Sequence, residues 1–139
     1  MAGLRAVLDT QVWLDWLVFD DPSVGPLREA QAAGRLEIVI DEACEAELVR
    51  VLAYDLGKYS LDAGERTRCI ARARGVARKV APAAAQGLPQ CRDPDDQKFL
   101  ELAAAAGAQV LVSKDQALLA LASRVRAFRI VAPNDLGEL

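Results

Sequence analysis

The sequence has 139 residues and no histidine, and 20 acidic side chains outnumber 17 basic ones, for a formal charge of -3. This length suits one domain, and 53% hydrophobic with 27% charged residues is typical of a folded globular protein. The missing histidine excludes Ser-His-Asp and Cys-His catalytic sites and zinc sites with imidazole ligands. Any chemistry must therefore use carboxylates, hydroxyls, thiols, amines or a bound metal.

The cysteines and the N-terminal segment predict where the protein resides. Cys44, Cys69 and Cys91 are widely spaced and form no C-x-x-C motif, so neither a zinc ribbon nor a thioredoxin-type site is indicated. Three such thiols fit a reducing compartment. The N-terminus lacks a signal pattern, and no apolar run approaches the ~20 residues that span a bilayer. We therefore expect a cytoplasmic protein without membrane attachment.

Short apolar runs alternate with segments of helical spacing along the chain. Asp41 and Pro94 are typical of helix starts, and Gly34 and Gly107 are typical of helix ends. In chain order the pattern predicts a strand at 4–8, helices at 11–19 and 24–33, a strand at 36–40, a helix at 41–54, a helix that starts at 60 or 62 and reaches 80, a loop at 82–89, a helix at 94–106, a strand at 110–113, a helix at 115–121, a strand at 128–131 and a turn or short helix at 133–139.

This alternation predicts a parallel sheet covered by helices on both sides. The expected fold is α/β, a three-layer α/β/α sandwich around a central parallel sheet of four or five strands. No linker, repeat or low-complexity segment divides the chain. We therefore expect one domain over residues 1–139.

Acidic residues fall where such a sheet binds ligands. Right-handed crossovers bring the carboxyl ends of the strands and the following helix starts to one edge. Asp9 directly follows the first strand, and Asp115 comes two residues after Ser113 ends the third. Helical spacing places Glu47 and Asp96 on the apolar sides of their helices. We expect these four carboxylates to converge at this edge.

Each acid also has an ordinary structural explanation, as a helix cap worth about 1 kcal/mol or as a solvated side chain. Four converging carboxylates, however, repel one another and raise each other's pKa unless cations neutralise them. Mg²⁺ or Mn²⁺ suits such oxygen ligands. A bound divalent ion can activate water and clamp a phosphodiester. The absence of glycine-rich phosphate motifs argues against a nucleotide triphosphatase or a dinucleotide enzyme.

Four segments of the sequence, in order, resemble the PIN domain family. They are Val7-Leu8-Asp9-Thr10, Glu47-Leu48 with Val51-Leu52, the run RDPDDQKFLE at 92–101, and Val112-Ser113-Lys114-Asp115. The tail Pro133-Asn134-Asp135-Leu136 is also similar to the family's closing elements. The resemblance covers essentially the whole chain and is closest to the toxin components of toxin–antitoxin pairs.

The resemblance implies an endoribonuclease that depends on Mg²⁺ or Mn²⁺ and acts as a toxin. It assigns both metal binding and catalysis to Asp9, Glu47, Asp96 and Asp115. It further implies a cognate antitoxin as partner and a homodimer.

The accessory positions implied by the resemblance are Thr10, Gln11, Asp93 and Ser113. Asp93 would be an additional acid, and Ser113 would hydrogen-bond a carboxylate or a water molecule. Gln11 departs from the family pattern, which usually has asparagine there. The longer side chain can misplace an orienting hydrogen bond, and an error of about 1 Å can cost about a hundredfold in rate.

Two alternative functions follow from these residues. The departure at Gln11 motivates a catalytically weak or inactive module of the same fold that binds RNA or a protein. An aspartate after the first strand also occurs in haloacid-dehalogenase-like phosphatases. That chemistry needs a second aspartate two residues later, where this chain has Gln11, so we rank it lowest.

Residues 66–79 carry six basic side chains and no acid. The ordinary interpretation is a solvated helix face. The functional interpretation is a ridge beside the acidic site that contacts RNA phosphates and makes binding salt-dependent. Its members would be Arg68, Arg72, Arg74 and Lys79.

Overall fold

A computed structural model describes residues 3–82 and 85–137. The strands are β1 (Leu4–Leu8), β2 (Leu36–Ile40), β3 (Ala77–Lys79), β4 (Val110–Val112) and β5 (Arg129–Val131). The helices are α1 (Thr10–Leu17), α2 (Gly25–Ala32), α3 (Glu42–Leu52), α4 (Ala63–Val76), α5 (Gln97–Ala105) and α6 (Gln116–Leu119). Short 3-10 turns occupy Pro22–Val24, Gly57–Tyr59, Pro94–Asp96, Ala122–Arg124 and Pro133–Asp135.

Within these ranges, the five strands form one parallel sheet in the order β3-β2-β1-β4-β5. Strand β1 lies at the centre, where Ala6 pairs with Ile38 of β2 and with Val110 of β4. Consecutive residues of β1, from Ala6 to Leu8, are all buried, so both faces of the sheet are covered. The predicted three-layer α/β/α sandwich with a parallel sheet is confirmed.

The sheet order also positions the candidate site. The carboxyl ends of β1 and β4 are neighbours, because Leu8 pairs with Val112. The backbone N–H of Asp9 continues this pairing by donating to the Val112 carbonyl at 3.1 Å. Asp9 and the β4–α6 loop therefore start from adjacent points on one edge of the sheet.

The prediction of a helix that starts at 60 or 62 and reaches 80 is wrong at its end. Helix α4 stops at Val76, and Ala77 has the extended backbone (φ -105°, ψ 142°) of an edge strand. Arg78 of β3 pairs with Val39 of β2, and the N–H of Val80 donates to the Ile40 carbonyl. The sheet supplies hydrogen bonds that outweigh local helical preference, and three residues with two exposed basic side chains carry no apolar strand pattern.

Other differences concern boundaries. The segment predicted as one helix from Pro94 opens with a 3-10 turn at Pro94–Asp96 before α5 begins. The last two strands are shorter than predicted, by Ser113 and Phe128. Residues 83 and 84 of the predicted loop, and 138 and 139 of the predicted terminal turn, lie outside the described residues.

None of the helices in the described ranges is long and apolar enough to cross a membrane. Cys44, Cys69 and Cys91 are all buried and form no disulfide. They pack as small apolar side chains within the hydrophobic core.

Replacing Leu111 with alanine should destabilise the sheet that carries the site. Leu111 is fully buried in β4, between Val7 of β1 and Ile130 of β5. The cavity left by Leu111→Ala should lower the free energy of unfolding by about 2–5 kcal/mol in urea denaturation. Leu4→Ala is the control, since Leu4 is 37% exposed and should cost far less. Equal losses in both variants would contradict this description of the core.

Candidate active site at the carboxyl edge of the sheet

Ser113 connects the acids that follow β1 and β4. The Asp9 carboxylate is buried, and its Oδ1 accepts from the Val12 N–H at 2.9 Å, which caps α1. Its Oδ2 accepts from the hydroxyl of Ser113, a fully buried side chain. The Ser113 Oγ in turn accepts from the Asp115 N–H at 2.9 Å. One hydroxyl thus fixes the Asp9 carboxylate and the turn that carries Asp115.

Asp115 and Asp96 complete a group of three carboxylates. Asp115 caps α6 by accepting from the Ala117 N–H at 2.7 Å. Asp96 ends the 3-10 turn before α5 and is partly buried. All three acids line one cavity of about 230 Å³, whose wall consists of Asp9, Thr10, Gln11, Asp96, Lys114 and Asp115.

The surroundings of Asp9 and Asp96 raise the pKa of both carboxyl groups. Burial, with smaller repulsion from Asp115 and Asp15, raises the pKa of Asp9 to about 6, although its hydrogen bonds oppose the shift. Burial, followed by repulsion from Asp115, Asp93 and Asp9, raises the pKa of Asp96 to about 7. Among the described residues, the buried Oδ2 of Asp96 has no hydrogen-bond partner. The cavity therefore holds more negative charge than its own groups compensate.

Glu47 does not line this cavity but lies beside it. Its Oε2 accepts from the hydroxyl of Thr10, which does line the cavity. Its Oε1 lies 2.8 Å from the Lys98 Nζ and 4.0 Å from the Arg50 Nη2. The structure thus brings Asp9, Asp96 and Asp115 together, while Glu47 is paired with cations one side chain away.

The predicted accessory residues Asp93 and Gln11 do not contact the three acids of the cavity through the hydrogen bonds that they form. Asp93 is exposed and caps the 3-10 turn by accepting from the Asp95 N–H at 3.0 Å. Gln11 lines the cavity, but its amide donates to the Asp15 Oδ1 at 3.1 Å and not to the three acids. The Lys114 Nζ lies 2.7 Å from the Asp15 Oδ2.

Sequence reasoning missed Asp15. It is buried on α1, where its carboxylate accepts a hydrogen bond from Gln11 and forms an ion pair with Lys114. The available signal was an acid within an otherwise apolar helix, since Leu14 and Trp16 flank it. A buried carboxylate at such a position needs a partner, and Lys114 provides the charge.

The predicted RNA-contacting residues are exposed, but three of them have partners. The Arg74 Nη2 and the Lys79 Nζ both approach the Glu45 Oε1, at 3.1 and 3.5 Å. Arg72 donates to the Leu17 carbonyl at 3.2 Å. Lys79 lies on β3 and not on the helix that carries Arg68, so the four side chains do not form one helical ridge.

The donor set of the cavity fits a hard divalent cation. The ligands of such a cation would all be carboxylate oxygens. A bound cation would give the Oδ2 of Asp96 a partner and would lower the raised pKa values of Asp9 and Asp96. Within the described residues, no three acidic or cysteine side chains lie close enough together to hold an ion directly. The three acids therefore share a cavity without forming a finished coordination shell.

The family model for the PIN domain matches residues 5–117, which includes all of these acids. This chain belongs to the PIN domain family. PIN domains are generally nucleases and generally use a divalent metal. No curated protein sequence matches the chain significantly.

Solved structures show the same fold at low sequence identity. The crystal structure of VapBC2 from Rickettsia felis, bound to a DNA fragment from their promoter, matches with 14% identity and a TM-score of 0.64, covering 91% of this chain and 97% of that one. PAE2754 from Pyrobaculum aerophilum matches with 13% identity and a TM-score of 0.55, covering 94% and 87%. Both likenesses support the PIN fold described above.

Replacing Asp96 with asparagine should stabilise the metal-free protein increasingly as pH rises. An acid with a raised native pKa keeps its proton longer in the folded than in the unfolded state, so it lowers stability as pH rises from about 4 to about 7. Asp96→Asn removes this loss. Urea denaturation in EDTA should show a gain over wild type that grows to on the order of 1 kcal/mol by pH 8, because solvent screens this partly exposed carboxylate and reduces the full effect of its raised pKa.

The comparison with wild type cancels the titration of acids elsewhere in the fold. Adding Mn²⁺ should reverse the order at pH 8, since the ion stabilises the wild-type protein that binds it. A stability difference that does not change between pH 4.5 and pH 8 would contradict a raised pKa of Asp96 in the folded protein.

Proposed function

We propose that this PIN domain, spanning the chain as one unit, is an endoribonuclease that depends on Mg²⁺ or Mn²⁺. The observation that carries the proposal is the cavity where Asp9, Asp96 and Asp115 converge, with an unpartnered buried carboxylate oxygen. Such a site favours a cation, and a cation held by carboxylates can support hydrolysis of a phosphodiester without histidine. This proposal ranks above the phosphatase alternative because the family match covers the acidic motifs.

The residues of the chain have distinct roles in this mechanism. Asp9, Asp96 and Asp115 would hold the metal, which supplies an activated water and stabilises charge on the phosphodiester. Ser113 holds the Asp9 Oδ2 and so sets the orientation of that carboxylate. Burial of Asp9 at 3% exposure limits competing hydration of its oxygens. Thr10 joins the cavity wall to Glu47, the fourth acid assigned by family resemblance.

We further propose the biological role of a toxin that is controlled by a cognate antitoxin. The resemblance of residues 92–101 to the toxin group supports this role, and so does the likeness in fold to the VapBC2 structure. A homodimer acting in the cytoplasm on RNA belongs to the same proposal. The three buried, unpaired cysteines agree with a reducing compartment.

A second candidate is an inactive PIN domain that binds RNA or a protein. Two observations favour it: the Gln11 amide contacts Asp15 instead of the three acids, and Lys98 is paired with Glu47. Cleavage assays separate the two candidates. An inactive domain would leave RNA intact with Mn²⁺ in excess.

Asp96→Asn and Asp9→Asn should each lower metal-dependent cleavage of single-stranded RNA by more than about a hundredfold. Each variant removes a carboxylate that would ligate the metal. The purified proteins are compared at pH 8 with Mg²⁺, Mn²⁺ or EDTA, and circular dichroism checks that they remain folded. Asp95→Asn is the matched control, because Asp95 is an exposed neighbour outside the cavity.

The control should cleave as wild type does, and EDTA should abolish all cleavage. Cleavage retained in both Asp9→Asn and Asp96→Asn would exclude the proposed site. Cleavage unaffected by EDTA would exclude the metal.

A further inference from the structure

Two cations surround Glu47 beside the cavity. The Glu47 side chain is 13% exposed, with the Lys98 Nζ at 2.8 Å and the Arg50 Nη2 at 4.0 Å. Lys98 comes from α5 and Arg50 from α3, so the two helices converge on one carboxylate. The two cations outnumber the carboxylate that they share, so this group of three side chains carries a net charge of +1.

The Lys114 side of the cavity has the opposite balance. The Lys114 Nζ lies 2.7 Å from the Asp15 Oδ2 and 3.6 Å from the Asp21 Oδ2. One positive charge between two carboxylates leaves a net charge of -1. A polyanion approaching the cavity is therefore attracted on the Glu47 side and repelled on the Lys114 side.

The exposure of the cations near Glu47 also favours binding of a ligand on that side of the cavity. Arg50 is 60% exposed, so its guanidinium can contact a ligand while remaining near Glu47. Lys98 is 21% exposed, and its ammonium also donates to the Asp95 carbonyl, which fixes it next to Asp96. The pair thus combines a half-buried cation held by two acceptors with an exposed one that a ligand can reach.

The basic residues of α4 and β3 are less well placed. Strand β3, which carries Lys79, is separated from β1 by β2, about 10 Å across the sheet. Arg72 is directed to the Leu17 carbonyl. These residues lie away from the cavity where the phosphodiester would be cleaved.

The geometry points to Lys98 and Arg50 as the residues that bind the RNA phosphates flanking the cleaved bond, so that the substrate strand crosses the α3–α5 side of the cavity. This inference rests on the proposed function for the identity of the ligand. Both side chains contact the strand through charge, without reading its sequence.

RNA binding without cleavage tests this inference. Asp96→Asn serves as the background, in EDTA, and a fluorescently labelled single-stranded RNA is titrated by anisotropy from 50 to 200 mM KCl. Adding Arg50→Met should raise Kd about five- to tenfold and reduce the slope of log Kd against log salt by about 0.7, the loss of one phosphate contact. Lys98→Met should act in the same way.

Arg126→Met is the matched control, because Arg126 is exposed in the loop before β5, at the opposite edge of the sheet. It removes the same charge and should leave Kd and slope nearly unchanged. Lys98→Met leaves Glu47 with one cation fewer and can impair folding, so thermal unfolding is measured for each variant. Arg50→Met, which changes an exposed side chain, decides the question if Lys98→Met unfolds.

The outcomes separate this inference from the proposed function. Wild-type cleavage together with an unchanged Kd in Arg50→Met would overturn the inference and leave the nuclease function standing. A raised Kd in Arg50→Met with no wild-type cleavage would uphold the binding surface and remove the enzymatic function. A Kd that responds to Arg68→Met but not to Arg50→Met would overturn the inference in favour of α4.

Discussion

The fold must hold three carboxylates close together at one edge of the sheet, with Asp9 buried and Asp96 and Asp115 partly buried. It does so by giving Asp9 and Asp115 backbone partners, since each caps the helix that follows its strand. The capping oxygen is fixed by an N–H, and Ser113 holds the other oxygen of Asp9. Helix capping is therefore compatible with the proposed role of these residues as metal ligands, because it orients the side chain in advance.

Charge pairing around the cavity determines which acids are left for a cation. Lys98 and Arg50 form ion pairs with Glu47, and Lys114 forms one with Asp15. Among the described residues, Asp9, Asp96 and Asp115 have no basic partner. Burial, and to a smaller extent the repulsion that remains, raises the pKa of Asp9 and of Asp96. A divalent ion would relieve this repulsion, which connects the stability of the fold to its proposed chemistry.

Much of this architecture could be predicted from the sequence. The strands β1 and β2 match their predicted bounds, because each is a short apolar run that ends at an aspartate. Strand β3 could not be found, since Arg78 and Lys79 give it no apolar pattern and only its pairing with β2 defines it. Local preference predicted a continuing helix, and tertiary hydrogen bonding decided otherwise.

The site was partly predictable for a similar reason. The position of Asp9 and Asp115 follows from strand ends, which the sequence marks clearly. The partners of Glu47 depend on how α3 and α5 pack together, and helical spacing within one element cannot show that. Asp15 escaped prediction because its role depends on Lys114, a residue 99 positions away in the chain.

The central claim is that Asp9, Asp96 and Asp115 together bind a divalent cation. Anomalous diffraction from crystals soaked in Mn²⁺ tests it most directly. We expect one peak or more within about 2.2 Å of oxygens from these three carboxylates. A peak at another position, with none in this cavity at full soaking, would contradict it.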